Sequence, residues 1–226
     1  MSRARSGRPL FAARFTEYII PIPPTATMAQ ESSPIPHITQ IEDGLYLGDG
    51  LSSRRPEILR AHHIGAVVSL SNKRWVHWRQ PWYKEIVPEG HHLYLPCNDS
   101  TTQDLLPELA HIYDFIQGYR DSGVPVLVHC DRGVSRSATA MIAYLMRAHQ
   151  WSFSTALAFV ESKRRIKPND NFKEQLQVWE TVGYDIWKDL GSGIPNAAYA
   201  VYLTGRAARL QARGLTGDEP VGVQSL

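Results

Sequence analysis

The chain has 226 residues, 43% of them hydrophobic and 10% aromatic, enough apolar material to bury one core and too much for a wholly disordered protein. Lys+Arg 24 against Asp+Glu 22 leaves a net charge of +2, too weak a bias to predict nucleic acid or an anionic membrane as partner. Two cysteines exclude a disulfide scaffold and a Cys-only zinc site, and no apolar run approaches the roughly 18–20 residues of a membrane-spanning helix.

The N-terminus carries Arg3, Arg5, Arg8 and Arg14 before its first acid, Glu17, and residues 19–36 are rich in proline. Proline at that density predicts an extended, flexible tail over residues 1–36. An Arg- and Ser-containing start, acid-free up to Thr16, also resembles a mitochondrial presequence, which would take up residues 1–27, and Met28 offers an alternative start. With both cysteines expected reduced, a cytoplasmic or nuclear location is the main expectation and a mitochondrial one the alternative.

Short runs of branched and aromatic residues bounded by Gly, Pro, Asn or Asp predict strands at Gly44–Gly48, Gly65–Leu70, His92–Pro96 and Val124–His129. Leu105, Leu109, Ile112, Ile116 and Tyr119 recur at helical spacing, and Met141 to Ala148, Ala156 to Val160, and Phe172 to Val182 mark three more helices. Strands come early, alternating with helices, and helices dominate later. That order predicts an α/β domain over 37–183, a sheet flanked by helices. Residues 184–226 form a C-terminal extension whose Ala/Arg/Leu stretch, Ala197–Leu215, reads equally as a docking helix or a loose tail.

The chemistry concentrates in Val126–Ser137, where an apolar strand runs into Cys130, a turn containing Gly133, and Arg136 at the start of a helix. Backbone N–H groups of a tight loop at a helix N-terminus converge on one point and favour an anion there. A thiol at the base of such a cradle is expected to be acidified. Arg136, six residues after Cys130, can offer a phosphate a two-pronged guanidinium. In this composition chance predicts only about 0.006 copies of His-Cys-x5-Arg. A cysteine kept merely as a small core residue explains none of His129, Gly133 and Arg136.

On these residues the chain resembles the Cys-based dual-specificity protein phosphatases of the protein tyrosine phosphatase superfamily. The likeness runs over about 38–183 and rests on Ile41–Asp49, Val67–Leu70, Asp99 with Leu105 and Leu106, Val126–Met146, and Pro168-Asn169 with Phe172, Gln175 and Leu176. It implies a single domain with a central mixed sheet flanked by helices. It implies hydrolysis of phosphotyrosine, and by extension phosphoserine and phosphothreonine, on a phosphorylated protein substrate. Cys130 would be the nucleophile and form a phosphocysteine. Asp99 would protonate the leaving oxygen and then deprotonate water. Ser137 would help the thiolate depart, and His129 would hold the loop. Residues Asp131, Arg132, Gly133, Val134 and Ser135 would bind phosphate through their amides, with Arg136 as clamp. Asn169 would support the catalytic loop from behind, or cap a helix, or both. No cofactor or metal is called for, since Arg136 and backbone dipoles supply the positive charge.

Several positions carry a competing reading. Asp104 is the rival acid, but an acid in the first helical turn suits the dipole. Asp131 is unusual beside a dianion site; it is expected to point outward, paired to Arg132, and if it pointed inward activity should be weak. Cys97 reads as a plain buried thiol, with a disulfide trap for oxidised Cys130 as the alternative. The aromatic, basic segment Lys73–Gly90 either lines the substrate mouth or covers the sheet edge. Two rival functions stay open: a phosphoinositide or other non-protein phosphatase on the same scaffold, and a phospho-binding adaptor with weak or lost catalysis.

Overall fold

The computed structural model describes residues 35–189, 191, 193–217 and 219; the N-terminal tail and presequence expectations lie almost wholly outside them. Five strands, β1 (Ile38–Glu42), β2 (Leu45–Asp49), β3 (Ala66–Ser71), β4 (His92–Pro96) and β5 (Val126–Cys130), form one sheet in the order β1-β2-β5-β3-β4. Only β1 runs antiparallel to its neighbour. Every residue of β2, β3 and β5 is buried, as expected of parallel strands covered on both faces. The expected strands are all present. The first starts one residue later than expected, because Gly44 has φ +66° and makes the turn from β1. Edge strand β1 escaped notice because Thr39 and Gln40 interrupt its apolar pattern.

Helices α1 (Pro56–Ala61) and α2 (Pro81–Ile86) cover one face of the sheet. Each is six residues with proline in its first turn, too short to display a helical period. The other face carries α3 (Leu106–Asp121), α4 (Arg136–His149), α5 (Phe153–Lys163) and α6 (Asp170–Thr181). Alternation along the strands divides the core: Leu45, Leu47, Val126, Val128 and Cys130 face α4, while Tyr46, Val67 and Leu127 face α1 and α2. Helix α4 is buried from Arg136 to Met146, which seats its N-terminus rigidly at the end of β5.

The C-terminal stretch is a docked helix, α7 (Ala197–Gln211), with Tyr199, Tyr202 and Leu210 buried. It packs on α6. Among the described residues no helix is long and apolar enough to cross a membrane.

Candidate active site

Strand β5 is flanked in register by β2 and β3, so Cys130 lies opposite Asp49 on one side and Leu70 on the other, at the carboxyl edge of the parallel strands. Loops at that edge form the binding crevice of open α/β sheets. The Cys130 Sγ is buried and accepts from the Gly133 amide and the Ser137 hydroxyl, both at 3.2 Å.

The loop after Cys130 is held by its carbonyls. Asp131 O accepts from Gly50 N at 3.2 Å, Gly133 O from Arg164 Nε at 3.0 Å, and Val134 O from Lys167 N at 2.7 Å. In a trans peptide the N–H lies opposite the C=O, so anchoring these carbonyls outward turns the amides of Arg132, Val134 and Ser135 inward. Gly133 sits at φ +67°, and a Cβ there would come within 2.5 Å of Gly48 O. Only glycine fits this turn. The result is a nest of amides at the mouth of α4 suited to a phosphate.

Arg136 is 5% exposed and fans its guanidinium across the site. Nη1 donates to Cys97 O at 3.1 Å and Nη2 to Asp131 Oδ2 at 3.0 Å. Nε is buried without a protein hydrogen-bond partner, 3.9 Å from Asp99 Oδ2. Burial works against this cation, but Cys130 and Asp131 beside it hold its pKa above the ordinary arginine value.

Asp131 overturns the expectation that it points outward to Arg132. Its carboxylate turns inward, with Oδ2 on Arg136 and Oδ1 accepting from Ser71 Oγ at 2.9 Å. The buried arginine and a hydroxyl at the end of β3 offer two donors that exposed Arg132 cannot match.

Asp99 stands across the loop. Its Oδ1 accepts from Ser135 Oγ at 2.7 Å and from Asn169 Nδ2 at 2.9 Å, leaving Oδ2 toward Arg136. Asn169 caps α6 through Oδ1, which accepts from Phe172 N at 3.0 Å. Its amide supports the loop of Asp99 rather than the loop of Cys130, correcting the place expected for that support. Asp104 is elsewhere: Oδ1 accepts from Leu106 N at 3.0 Å, at the start of α3, and Oδ2 from Tyr199 Oη at 2.9 Å.

His129 is fully buried, and burial lowers its pKa to about 4, so it is neutral near pH 7. Its Nδ1 faces only a carbonyl, Cys130 O at 3.5 Å, and must carry the proton. Nε2 therefore accepts from Ser69 Oγ at 2.7 Å, and that hydroxyl accepts from His92 Nε2 at 2.8 Å. This relay ties β3, β4 and β5 together beneath the catalytic loop. Burial pushes the Cys97 thiol up to about 12, as befits a core residue.

The Lys73–Gly90 segment divides its duties. Trp78 packs on His92 and Tyr94 of β4 at 4.6 and 5.0 Å, and Tyr83 is buried in the smaller core. Trp75, between Arg54 and Lys73, lies beside Gly50, which backs onto Asp131. A cavity of about 480 Å³ opens before Asp99 and Ser135, and Arg132, Arg165 and Lys167 give it a basic rim. The sequence reading missed Ser69, Ser71, His92, Arg164, Arg165 and Lys167; the basic run at 163–167 just before Pro168-Asn169 was the available signal for the last three. Among the described residues no cluster of three or more His, Cys, Asp or Glu side chains is arranged to hold a metal ion.

Comparison with known proteins agrees with this geometry. The family model for the dual specificity phosphatase catalytic domain matches residues 45–182. Dual specificity protein phosphatase 16 from Homo sapiens is 38% identical over 156 residues, covering 68% of this chain and 22% of its own length. Dual specificity protein phosphatase 12 from Mus musculus is 32% identical over 170 residues, covering 72% and 46%. The chain thus spans less than half the length of these curated relatives. Among solved structures, the Yvh1 phosphatase domain from Chaetomium thermophilum aligns with a TM-score of 0.58 and 31% identity, covering 66% of this chain and 99% of that one. The human tyrosine phosphatase-like serine/threonine/tyrosine-interacting protein aligns with a TM-score of 0.58 and 28% identity over 64% and 96%. The chain belongs to the dual specificity phosphatase catalytic-domain family.

Proposed function

We propose that this chain hydrolyses phosphotyrosine, and phosphoserine and phosphothreonine with it, on phosphorylated proteins through a phosphocysteine intermediate. The observation that carries the reading is the convergence on Cys130 Sγ of the Gly133 amide and the Ser137 hydroxyl, with the unpartnered Arg136 Nε and Asp99 Oδ2 facing each other nearby.

The amide nest and Arg136 bind the phosphoryl oxygens and gather the negative charge that builds on them. The Cys130 thiolate attacks phosphorus, an S–P bond forms, and the P–O bond to the substrate breaks. Asp99, protonated at this stage, gives its proton to the leaving oxygen from Oδ2, while Ser135 and Asn169 hold Oδ1. In the second step water attacks phosphorus and gives its proton to Asp99. The S–P bond breaks, and the Ser137 hydroxyl donates to the departing thiolate. His129 contributes by orienting the Cys130 carbonyl from below and is a positioning residue.

The catalytic unit is proposed to span 37–183, with 184–226 as an extension. Two free buried cysteines fit a reducing compartment, and a cytoplasmic or nuclear location is proposed on that ground. The basic rim of Arg132, Arg165 and Lys167 favours one rival, a phosphoinositide substrate. Turnover of phosphotyrosine and phosphothreonine peptides beside phosphoinositide separates the readings. Peptide hydrolysis that exceeds lipid hydrolysis supports a protein phosphatase, the reverse order supports the lipid reading, and binding without phosphate release supports an adaptor.

A further inference from the structure

Helix α7 lies beyond the segment 45–182 that matches the family, yet its side chains end on the loop that carries Asp99. Arg206 Nε donates to Thr102 O at 2.7 Å. Tyr199 Oη donates to Asp104 Oδ2 at 2.9 Å. Burial keeps both Tyr199 and Tyr202 in the phenol form, so each brings a proton to its bond.

A second tier works through α6. Tyr202 Oη at 3.1 Å and Arg209 Nη2 at 3.2 Å both donate to Asn171 Oδ1. With its oxygen taken by two donors, the Asn171 amide is fixed with Nδ2 toward the loop, where it reaches Gln103 O at 2.7 Å and Ser100 O at 3.3 Å. Gln175 Nε2 also donates to Gln103 O, at 2.8 Å. The carbonyls of residues 100, 102 and 103 therefore hang from donors on α6 and α7. A loop outside any sheet ladder takes its position from such bonds.

We propose that α7 is a brace that positions Asp99 for proton transfer, with Arg206, Tyr199 and Tyr202 as positioning residues. The inference rests on the reading of Asp99 as general acid. The bonds from Ser135 and Asn169 orient the Asp99 carboxylate, and α7 sets the backbone from which it projects. Proton transfer is sensitive to such placement; a shift of about 1 Å at a reacting group can cost on the order of 100-fold in rate. Nucleophilic attack by Cys130, which ends β5 and accepts from Ser137 of α4, does not depend on this brace.

The test compares two leaving groups in the 226-residue chain. Arg206→Met keeps the aliphatic stem and deletes the donor, and Arg206→Lys restores a donor. Arg206→Met is expected to lower kcat on a phosphotyrosine peptide by about 5- to 10-fold and on p-nitrophenyl phosphate, whose leaving group needs little protonation, by no more than about 2-fold. Inhibition by orthophosphate stays unchanged, and Arg206→Lys recovers most of the loss. Tyr202→Phe, which removes a single hydroxyl, shifts the same ratio in the same direction and serves if Arg206→Met folds poorly. In an Asp99→Asn background Arg206→Met adds nothing further. Equal losses on both substrates, or an undiminished loss in the Asp99→Asn background, would overturn the brace. If Asp99→Asn discriminates between the leaving groups while both Arg206→Met and Tyr202→Phe do not, only the brace falls. If Asp99→Asn itself fails to discriminate, the acid assignment and the brace fall together.

Discussion

Asp131 Oδ2 stands 3.0 Å from Arg136 Nη2, so the cation proposed to clamp a phosphate already carries a carboxylate from its own loop. The pair has two opposed effects. It fixes the plane of the guanidinium, and it offsets part of the positive charge the substrate would meet. Asp131→Asn separates them, because the amide keeps the same shape and a hydrogen-bonding oxygen but loses the charge. Asp131 is 30% exposed on its side chain, so water screens the interaction in part. The variant is expected to bind orthophosphate and vanadate about 3- to 10-fold more tightly. Inhibition constants measured at fixed pH check this; weaker binding would show that the carboxylate's role in holding Arg136 outweighs its charge.

Gly133→Ala tests the loop. Its new Cβ would need the space of Gly48 O and would sit at φ +67°. The expected cost is about 1–3 kcal/mol of stability, from backbone strain before any relaxation. Phosphate binding should fall with it, because the amides of the loop lose their common focus. A variant with unchanged melting temperature and inhibition constant would contradict the geometry.

Asp99→Asn removes the exchangeable proton and leaves an amide that can still pair with Ser135. It should lower kcat on the order of 100-fold for phosphotyrosine and markedly less for activated aryl phosphates. Asp104→Asn, whose amide can still pair with Leu106 N and the Tyr199 hydroxyl, should change this ratio of substrates far less than Asp99→Asn does. Steady-state kinetics on the two substrate classes decide between the two carboxylates.

Acid should destabilise the fold through the buried His129 and the half-buried His92 and His77. Burial lowers His129 to about 4, His92 to about 3 and His77 to about 4, against 6.5 for an ordinary histidine. Below 6.5 the unfolded chain binds protons that the folded chain refuses, so stability is full above that pH and drains as pH falls toward 4. His129 and His92 each contribute a slope of up to about 1.4 kcal/mol per pH unit in that window, and the half-exposed His77, screened by water, contributes less. Denaturant melts between pH 7 and 4.5 measure the slope, and His92→Gln should flatten it. An unchanged slope in that variant would place the acid sensitivity elsewhere.

The loop proposed to bind phosphate was legible in the sequence as a unit because its parts are contiguous: the proposed nucleophile, the turn glycine and the arginine lie within seven residues, Cys130 to Arg136. The strands β2, β3 and β5 were legible as well, since burial on both faces leaves continuous apolar runs, and the half-buried edge strand β4 was legible from its branched and aromatic residues. What could not be read is what distant segments do to one another. The direction of Asp131 is decided partly by Ser71, 60 residues away, and the brace joins Thr102 to Arg206, 104 residues apart. No local pattern announces such pairs. The short helices α1 and α2 and the polar edge strand β1 lacked a period long enough to recognise.

The covalent step itself is open to direct observation in Ser137→Ala. Ser137 donates to Cys130 Sγ at 3.2 Å, and in the proposed mechanism its hydroxyl matters most when the thiolate departs, so its loss should slow the second step more than the first. With p-nitrophenyl phosphate in rapid mixing, the variant should release a burst of nitrophenol equal to the enzyme present, followed by slow turnover. Mass spectrometry of the quenched protein should find one phosphoryl group on Cys130, and Cys130→Ser should show neither burst nor label. Linear product release with no phosphoryl group on that sulfur, in a variant that still turns over, would contradict nucleophilic catalysis by Cys130.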